Sequence, residues 1–403
     1  MGANPLKNDI INYMEIGFFT DCYLPFGFGV GTSIESFRKN LETLGHKVYV
    51  FAPFFKDYQD KNPRVFRFHS LKVIKEPEIR LASPFFPLKP FKEIKDLKLD
   101  IAHAHTPFSL GILGKYLASQ QKIPLLYTHH TQYPEYAKFY LKEKFLIPYL
   151  AQSLTVWFSN ISDAVIAPSE KIKKILKEAE VKKTIYVLPT GVNTDIFRKA
   201  SLEEKNNLRK KFRIPIDLKI LLFVGRMGKE KNAEFLLHVL KKIIKENRNV
   251  YLLMVGEGPY LKQLRQIAKQ LQINPWVKFT GSVSYEEITK YYQMADIFVF
   301  ASLTDTQGIV ILEAAASGLS IVALEDAALE NIVVNNKNGF LIKPDQKEKA
   351  QIFAKKILKI FNSSFLCQKF SKNSLTIANQ FSEINQTKKL VDIYQKVIKL
   401  KNL

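Results

Sequence analysis

Cysteine is scarce in this chain, since only Cys22 and Cys367 occur among its 403 residues, without a CxxC or CxxH spacing. Two cysteines are too few for a disulfide framework, and their spacing gives no zinc motif. We therefore expect a protein of a reducing, cytoplasmic compartment. The first residues also lack the basic, apolar and small-residue regions of a secretory signal, so we expect a short extension there.

Long apolar runs and acidic residues are also in short supply. No stretch reaches the roughly 18 apolar residues of a membrane span. Lys and Arg total 60 against 38 Asp and Glu, which gives a net charge of +22 and favours polyanionic partners. Zinc-finger spacings, RNP-like strands and basic helices with heptads are missing, so nucleic acid is the weaker candidate. We interpret lysine runs, such as Lys171, Lys173, Lys174 and Lys177, as solvated helix faces, and the total charge as useful to a peripheral lipid enzyme.

The sequence alternates short apolar runs with helical patterns, which is typical of βαβ units and parallel sheets. In the first half, a strand predicted over 14–20 precedes a glycine-rich loop over 25–31. A helix capped by Thr32 or Ser33 and ended by Gly45 follows. A second alternation starts at a strand over 219–224, after polar sequence over 190–218 that we interpret as a linker.

These patterns predict an α/β fold with two Rossmann-like, doubly wound domains that face each other across a cleft. The hydrophobic content of 46% provides material for two cores. We assign residues 1–195 to the first domain and 196–384 to the second, with a C-terminal helix over about 385–403 that can pack back on the first. Ligands of such sheets lie beyond the carboxyl ends of the strands, so the cleft is the expected site.

The most informative segment runs from 295 to 323, where a strand ends in a polar loop and a helix begins near Ile309. Gly308 permits close backbone approach. Together with Ile309 and Val310 it would offer the unpaired N–H groups of a helix N-terminus to a diphosphate. Glu313 lies one turn inside the helix and is suited to a ribose diol, while Asp305 in the loop can reach a sugar hydroxyl.

A second candidate element is the segment 221–232, in which Gly225 and Arg226 follow a strand and Lys231 stands five residues after Arg226. One Arg and one Lys on a strand-end loop can neutralise a departing nucleotide diphosphate.

Both elements resemble glycosyltransferase family four, whose members are retaining enzymes with the GT-B fold. Asp305 and Glu313 match its Glu-x7-Glu motif, with Asp in place of the usual first Glu, and Gly225, Arg226 and Lys231 match its Gly-Arg…Lys element. The resemblance implies a nucleotide-sugar donor as substrate and no metal or other cofactor. It also implies site residues outside both motifs: Gly256 and Phe279 near the nucleotide base, Gly29 and Val30 at the donor phosphates from the opposite domain, and His130 at the donor sugar.

Two other interpretations of the first half fit less well. A dinucleotide-binding loop at Gly29 needs an acidic residue at the end of the second strand, and no acid occurs there before Asp57. A metal cluster of His103, His105, His129 and His130 lacks Asp or Glu at ligand spacing. We expect His103 and His105 to be structural or to line the acceptor side.

The acceptor is suggested by segments at 29–33, 105–111, 128–136 and 306–308, which look most like bacterial diacylglycerol glucosyltransferases. UDP-glucose and 1,2-diacylglycerol are therefore the expected substrates, at the cytoplasmic face of an anionic membrane. The segment 133–158 interleaves aromatic and basic residues and then has no charge from 145 to 158, which suits an interfacial helix or a buried one. Its candidate membrane or acceptor residues are Tyr133, Tyr136, Phe139, Tyr140 and Phe145.

Three alternatives remain open. The enzyme could transfer glucose or mannose to phosphatidylinositol, or to a polysaccharide or lipopolysaccharide. A non-enzymatic protein that binds lipid or nucleic acid is the third. The sequence names neither the hexose nor the nucleotide, since epimers differ by one hydroxyl.

Overall fold

A computed structural model describes residues 13–25, 29–73, 76–84, 91, 94–135 and 146–403. In the first half, seven strands of the described residues form one parallel sheet in the order β3-β2-β1-β6-β7-β8-β9. Its strands are β1 (Glu15–Phe19), β2 (Lys47–Pro53), β3 (Val65–Phe68), β6 (Ile101–Ala104), β7 (Leu125–Thr128), β8 (Ala164–Ala167) and β9 (Ile185–Val187). An antiparallel hairpin, β4 (Ser70–Val73) and β5 (Glu76–Ala82), leaves the sheet. The helices described here are α1 (Val30–Thr43), α2 (Ser109–Gln121), α3 (Leu146–Ile161) and α4 (Glu170–Glu178).

The second half repeats this architecture with a parallel sheet in the order β12-β11-β10-β13-β14-β15. Its elements are α5 (Leu202–Lys211), β10 (Lys219–Val224), α6 (Ala233–Glu246), β11 (Val250–Val255), α7 (Leu261–Gln270), β12 (Val277–Gly281), α8 (Tyr285–Met294), β13 (Ile297–Phe300), α9 (Ile309–Ala316), β14 (Ser320–Leu324), β15 (Gly339–Ile342), α10 (Lys349–Phe361), α11 (Ser364–Gln380) and α12 (Glu383–Lys401). The predicted fold class is confirmed.

Each sheet is covered on both faces, which explains why its strands are almost continuously apolar. On β10, Leu221 and Phe223 point into one core, whereas Ile220 and Leu222 point into the other. None of the described helices is long and apolar enough to cross a bilayer.

The chain crosses between the two halves twice, at neighbouring points. The Val192 N–H donates to the Phe381 carbonyl, and the Glu383 N–H donates back to the Val192 carbonyl. A Cβ on Gly191 would lie 2.4 Å from Glu383 Cα, so the close approach requires glycine there. After this crossing, α12 packs on the first half, where Leu390 and Tyr394 join its core.

Two local predictions are wrong. Helix α1 begins at Val30 after Gly29, whose φ is 68°, so neither Thr32 nor Ser33 is its cap. The Ser33 hydroxyl instead lies 2.7 Å from the Thr190 hydroxyl, where the two form a hydrogen bond. The segment predicted as a linker contains α5, which starts with a capping box of Ser201 and Glu204.

Candidate active site

The loop over 301–308, between β13 and α9, contacts the first half. Several hydrogen bonds join it to the first half, and three of them involve Ser169, Gln132 and His130. The Ser169 hydroxyl donates to the Thr306 carbonyl (2.6 Å), the Gln132 amide donates to the Thr304 carbonyl (2.9 Å), and the Thr306 hydroxyl donates to the His130 carbonyl (3.1 Å). The loop that carries Asp305 is thus held against the carboxyl ends of β7 and β8.

Gln307 adds a two-point contact to this junction. Its side-chain oxygen accepts from the Thr190 N–H and its amide donates to the Thr190 carbonyl, both at 2.7 Å. Because Ser33 of α1 bonds the Thr190 hydroxyl, the start of α1 with Gly29 and Val30 is linked through Thr190 to the loop before Gly308.

The lysine run on α4 was interpreted as a solvated helix face, and for Lys171 this interpretation is wrong. Its ammonium group donates to the Leu303 carbonyl (2.8 Å) and forms an ion pair with Asp326 (2.6 Å), with the side chain 17% exposed. Lys174 and Lys177, one turn apart on the same helix, are exposed as expected.

Asp305 and Lys231 form an ion pair in the cleft. The Lys231 ammonium lies 2.8 Å from Asp305 Oδ1, and the Ser302 hydroxyl donates to the same oxygen. Burial alone would raise the pKa of Asp305, but the charge and hydrogen bond of Lys231 outweigh it and hold that pKa below its usual value. Asp305 and Lys231, which the sequence analysis predicted in two separate elements, therefore form one ion pair.

Helix α9 starts at this loop. Gly308 precedes it with a φ of 75°, which favours glycine, and the first N–H groups of a helix lack intrahelical acceptors. Those of Ile309 and Val310 thus suit an anion. Glu313, one turn further, is buried and accepts a hydrogen bond from the Tyr292 hydroxyl (2.6 Å). Burial raises the pKa of Glu313 to about 7, although the Tyr292 hydrogen bond opposes this.

The glycines predicted at the donor site lie where two strand-end loops touch. A Cβ on Gly256, whose φ is 133°, would lie 2.0 Å from the Gly225 carbonyl oxygen. The close contact of these two loops at the ends of β10 and β11 therefore requires glycine at position 256. Arg226 follows Gly225 and is half-buried, and Phe279 on β12 packs at the edge of the core.

Four histidines lie at the ends of β6 and β7. His130 Nε2 is 3.0 Å from His105 Nδ1, while His103 is hydrogen-bonded to Thr128 and to Tyr394 of α12, both at 2.7 Å. Burial lowers the pKa of His130 to about 3, helped by the neighbouring His129. Within the described residues, no three His, Cys, Asp or Glu side chains are grouped as a metal site requires.

Tyr133 is half-buried, with its ring 5.2 Å from that of Phe108. The other predicted membrane residues, Tyr136, Phe139, Tyr140 and Phe145, lie outside the described residues.

Sequence reasoning missed Ser302, Tyr292, Gln307 and Lys171. Ser302 stands three residues before Asp305 in the same polar loop, so its position was a usable signal. Tyr292 and Lys171 lie on other helices, and only the packing of those helices brings them to the loop or to α9.

Two families match consecutive parts of the chain: "Glycosyltransferase Family 4" over residues 28–196 and "Glycosyl transferases group 1" over residues 204–376. The alpha-monoglucosyldiacylglycerol synthase of Streptococcus pneumoniae is 36% identical over 341 residues, which are 81% of this chain and 75% of that protein. The synthase of the same name from Acholeplasma laidlawii is 30% identical over 344 residues, or 83% and 86%. The structure of HepE from Anabaena with UDP and glucose has a TM-score of 0.76 at 19% identity, covering 95% of this chain and 100% of that chain.

Proposed function

Since the chain belongs to the group 1 glycosyltransferases, with a family 4 N-terminal half and the GT-B fold, we propose that it transfers glucose from UDP-glucose to 1,2-diacylglycerol, with retention at the anomeric carbon and without a metal. The kinship with two monoglucosyldiacylglycerol synthases supports a glycolipid product. It also makes phosphatidylinositol, a polysaccharide or a lipopolysaccharide a weaker proposal for the acceptor.

The observation that carries this proposal is the order of groups along the cleft. Glu313 lies inside α9, the N–H groups of Ile309 and Val310 lie at its start, and the Lys231–Asp305 pair lies before it. This order matches the three parts of a nucleotide sugar: the ribose diol, the diphosphate and the hexose.

Leaving-group stabilisation is the chemistry that these residues can supply. As the glycosidic bond breaks, negative charge grows on the diphosphate, where Arg226, Lys231 and the start of α9 place positive charge or N–H donors. His130 and Asp305 then hold the hexose at the face where the acceptor hydroxyl enters.

Helix α3 supplies a candidate surface for the lipid. It carries no charged residue, and Leu146, Tyr149, Leu150 and Trp157 on one side are 63%, 67%, 54% and 48% exposed. Its other side buries Phe158. One side of α3 therefore packs on the first half and the other is exposed, which favours the interfacial interpretation of this part of the segment 133–158 over a fully buried helix.

Exposed lysines flank this apolar face. The Lys182 N–H donates to Asn160 at the end of α3 (2.8 Å), which places the exposed Lys182 and Lys183 beside it. Apolar side chains next to cations suit the surface of an anionic membrane. We assign this face to the membrane at which the acceptor lies.

Trp157 is a built-in probe for this assignment. In a Trp276→Phe protein its fluorescence should shift to the blue on vesicles that contain phosphatidylglycerol, and salt should weaken but not abolish the shift. An unchanged spectrum on all vesicles would remove α3 from the interface.

The activity itself is tested with UDP-glucose, UDP-galactose and GDP-mannose, each with diacylglycerol vesicles. We expect a glycolipid from UDP-glucose. Arg226→Ala should lower turnover by about a hundredfold, as expected for the loss of one transition-state donor, whereas Arg265→Ala, an exposed arginine on α7, should not. A product from GDP-mannose alone, or equal activity of both variants, would contradict the proposal.

A further inference from the structure

Three imidazole rings lie in a row in the first half, at the ends of β6 and β7. The ring centres of His103 and His105 are 4.1 Å apart, and those of His105 and His130 are 5.2 Å apart. The rings of Phe18 and His105 are inclined at 70° to each other, with their centres 4.8 Å apart. Since His105 is only 1% exposed, these rings fix its orientation.

One hydrogen bond joins the middle ring of this row, His105, to the outer ring of His130. His105 Nδ1 lies 3.0 Å from His130 Nε2. Among the described residues, the other nitrogen of His105, Nε2, is buried without any partner. His130 is the more exposed of the two residues, since His105 is buried and His130 is half-buried.

Both rings are neutral near pH 7, because burial lowers the pKa of His130 to about 3 and that of His105 well below its usual value. A neutral imidazole has one N–H donor and one acceptor nitrogen. The shared hydrogen bond therefore allows only two proton arrangements.

The arrangements differ in what is left buried at His105 Nε2. If His130 donates, His105 must carry its proton on Nε2, as an N–H donor without an acceptor. If His105 donates, only a lone pair is left without a partner. Orphaned buried donors are the rarer case in proteins, so the second arrangement is favoured.

We propose that His105 is a positioning residue that donates from Nδ1 to His130 and thereby fixes His130 as the Nδ1–H tautomer. His130 then presents an N–H group to a hydroxyl oxygen of the donor hexose. The identity of that ligand rests on the proposed function, but the tautomer does not. With the opposite tautomer, His130 would present a lone pair, and that hydroxyl would have to donate its hydrogen instead of accepting one.

The tautomer is measurable without any substrate. Long-range ¹H–¹⁵N spectra of protein labelled with ¹⁵N-histidine distinguish protonated from bare ring nitrogens, and the His130 signals are those lost in His130→Gln. We expect a protonated Nδ1 and a bare Nε2. A protonated Nε2 on His130 overturns the proposal, whether or not the protein transfers glucose.

Kinetics separate a positioning role from a packing role. His105→Asn retains an N–H donor near the position of Nδ1 and should keep kcat within about threefold. His105→Leu removes that donor and should lower kcat roughly tenfold, with little change in KM for the lipid. His46→Leu is the matched control, since His46 is also buried without partners, at the start of β2. Equal losses in the Asn and Leu variants, or none in Leu, would contradict the assignment.

Discussion

The Lys231–Asp305 pair makes stability and catalysis depend on the same lysine. The ammonium lies 2.8 Å from the carboxylate, and the two side chains are 23% and 14% exposed. Among the described residues, Lys231→Met leaves a largely buried carboxylate with the Ser302 hydroxyl as a hydrogen-bond donor and the charge of Lys171 nearby. Breaking a buried ion pair from one side costs about 3 to 5 kcal/mol, and the Ser302 hydrogen bond favours the lower end. We expect about 3 kcal/mol, or a decrease in Tm of roughly 6 to 12 °C for the second domain.

The pH dependence of the Tm shows whether the unpaired Asp305 carboxylate causes the loss of stability in Lys231→Met. In wild type the pKa of Asp305 lies below its usual value, so the pair contributes stability that is lost as pH falls through that pKa. Without Lys231, the carboxyl can accept a proton in mild acid. The Tm difference between variant and wild type should therefore be larger near pH 8 than near pH 5.

Calorimetry of four proteins tests this prediction: wild type, Lys231→Met, the double variant with Asp305→Asn, and Lys229→Met as an exposed control from the same turn. The double variant buries no unpaired charge, so it should be more stable than Lys231→Met while both are inactive. Wild-type stability of Lys231→Met at pH 8, or additive losses in the double variant, would refute this account of the pair.

Three further predictions follow from other contacts. Burial raises the pKa of Glu313 to about 7, and in this account Glu313 binds the ribose diol as a carboxylate. The affinity for UDP-glucose, measured by titration calorimetry, should therefore fall about tenfold per pH unit below pH 7. The affinity of the Glu313→Gln variant should not depend on pH in this range. Burial lowers the pKa of His129 to about 4, so the folded protein should lose stability as pH falls from about 6.5 toward 4. His129→Gln should flatten the curve of Tm against pH in this range. An unchanged curve would show that His129 does not cause the loss. Gln307→Ala leaves the buried Thr190 backbone groups without their partners and should cost about 1 to 3 kcal/mol in thermal unfolding, while Gln270→Ala, exposed on α7, should be neutral.

The fold could be predicted from the sequence because nearly every sheet strand is buried on both faces and reads as an apolar run. The family resemblance is likewise confirmed by the relatives. The hairpin β4–β5 was missed, since it lies outside the sheet and its short strands expose Leu71 and Leu81. The sequence predicts a start for α1 that is a few residues too late. The reason is that Ser33 is a residue type typical of helix N-caps, whereas its hydroxyl forms a hydrogen bond with Thr190.

The candidate site was predictable where its residues lie together in sequence. Gly308 to Glu313 and Gly225 to Lys231 each follow one strand. The pairing of Lys231 with Asp305, the hydroxyl of Tyr292 on Glu313 and the contact of His105 with His130 join residues far apart in the chain. Only the packing of the elements sets these contacts, and the assigned roles stay predictions until they are measured.

The central claim is a retaining transfer of glucose to a membrane lipid. It is tested most directly by incubating the protein with UDP-glucose labelled with ¹³C at the anomeric carbon and with diacylglycerol vesicles, and recording the NMR spectrum of the extracted lipid. The account predicts a labelled glucosyldiacylglycerol whose anomeric proton shows the small coupling of an α linkage. A large, β-type coupling, or no labelled lipid from protein that binds UDP-glucose, would contradict it.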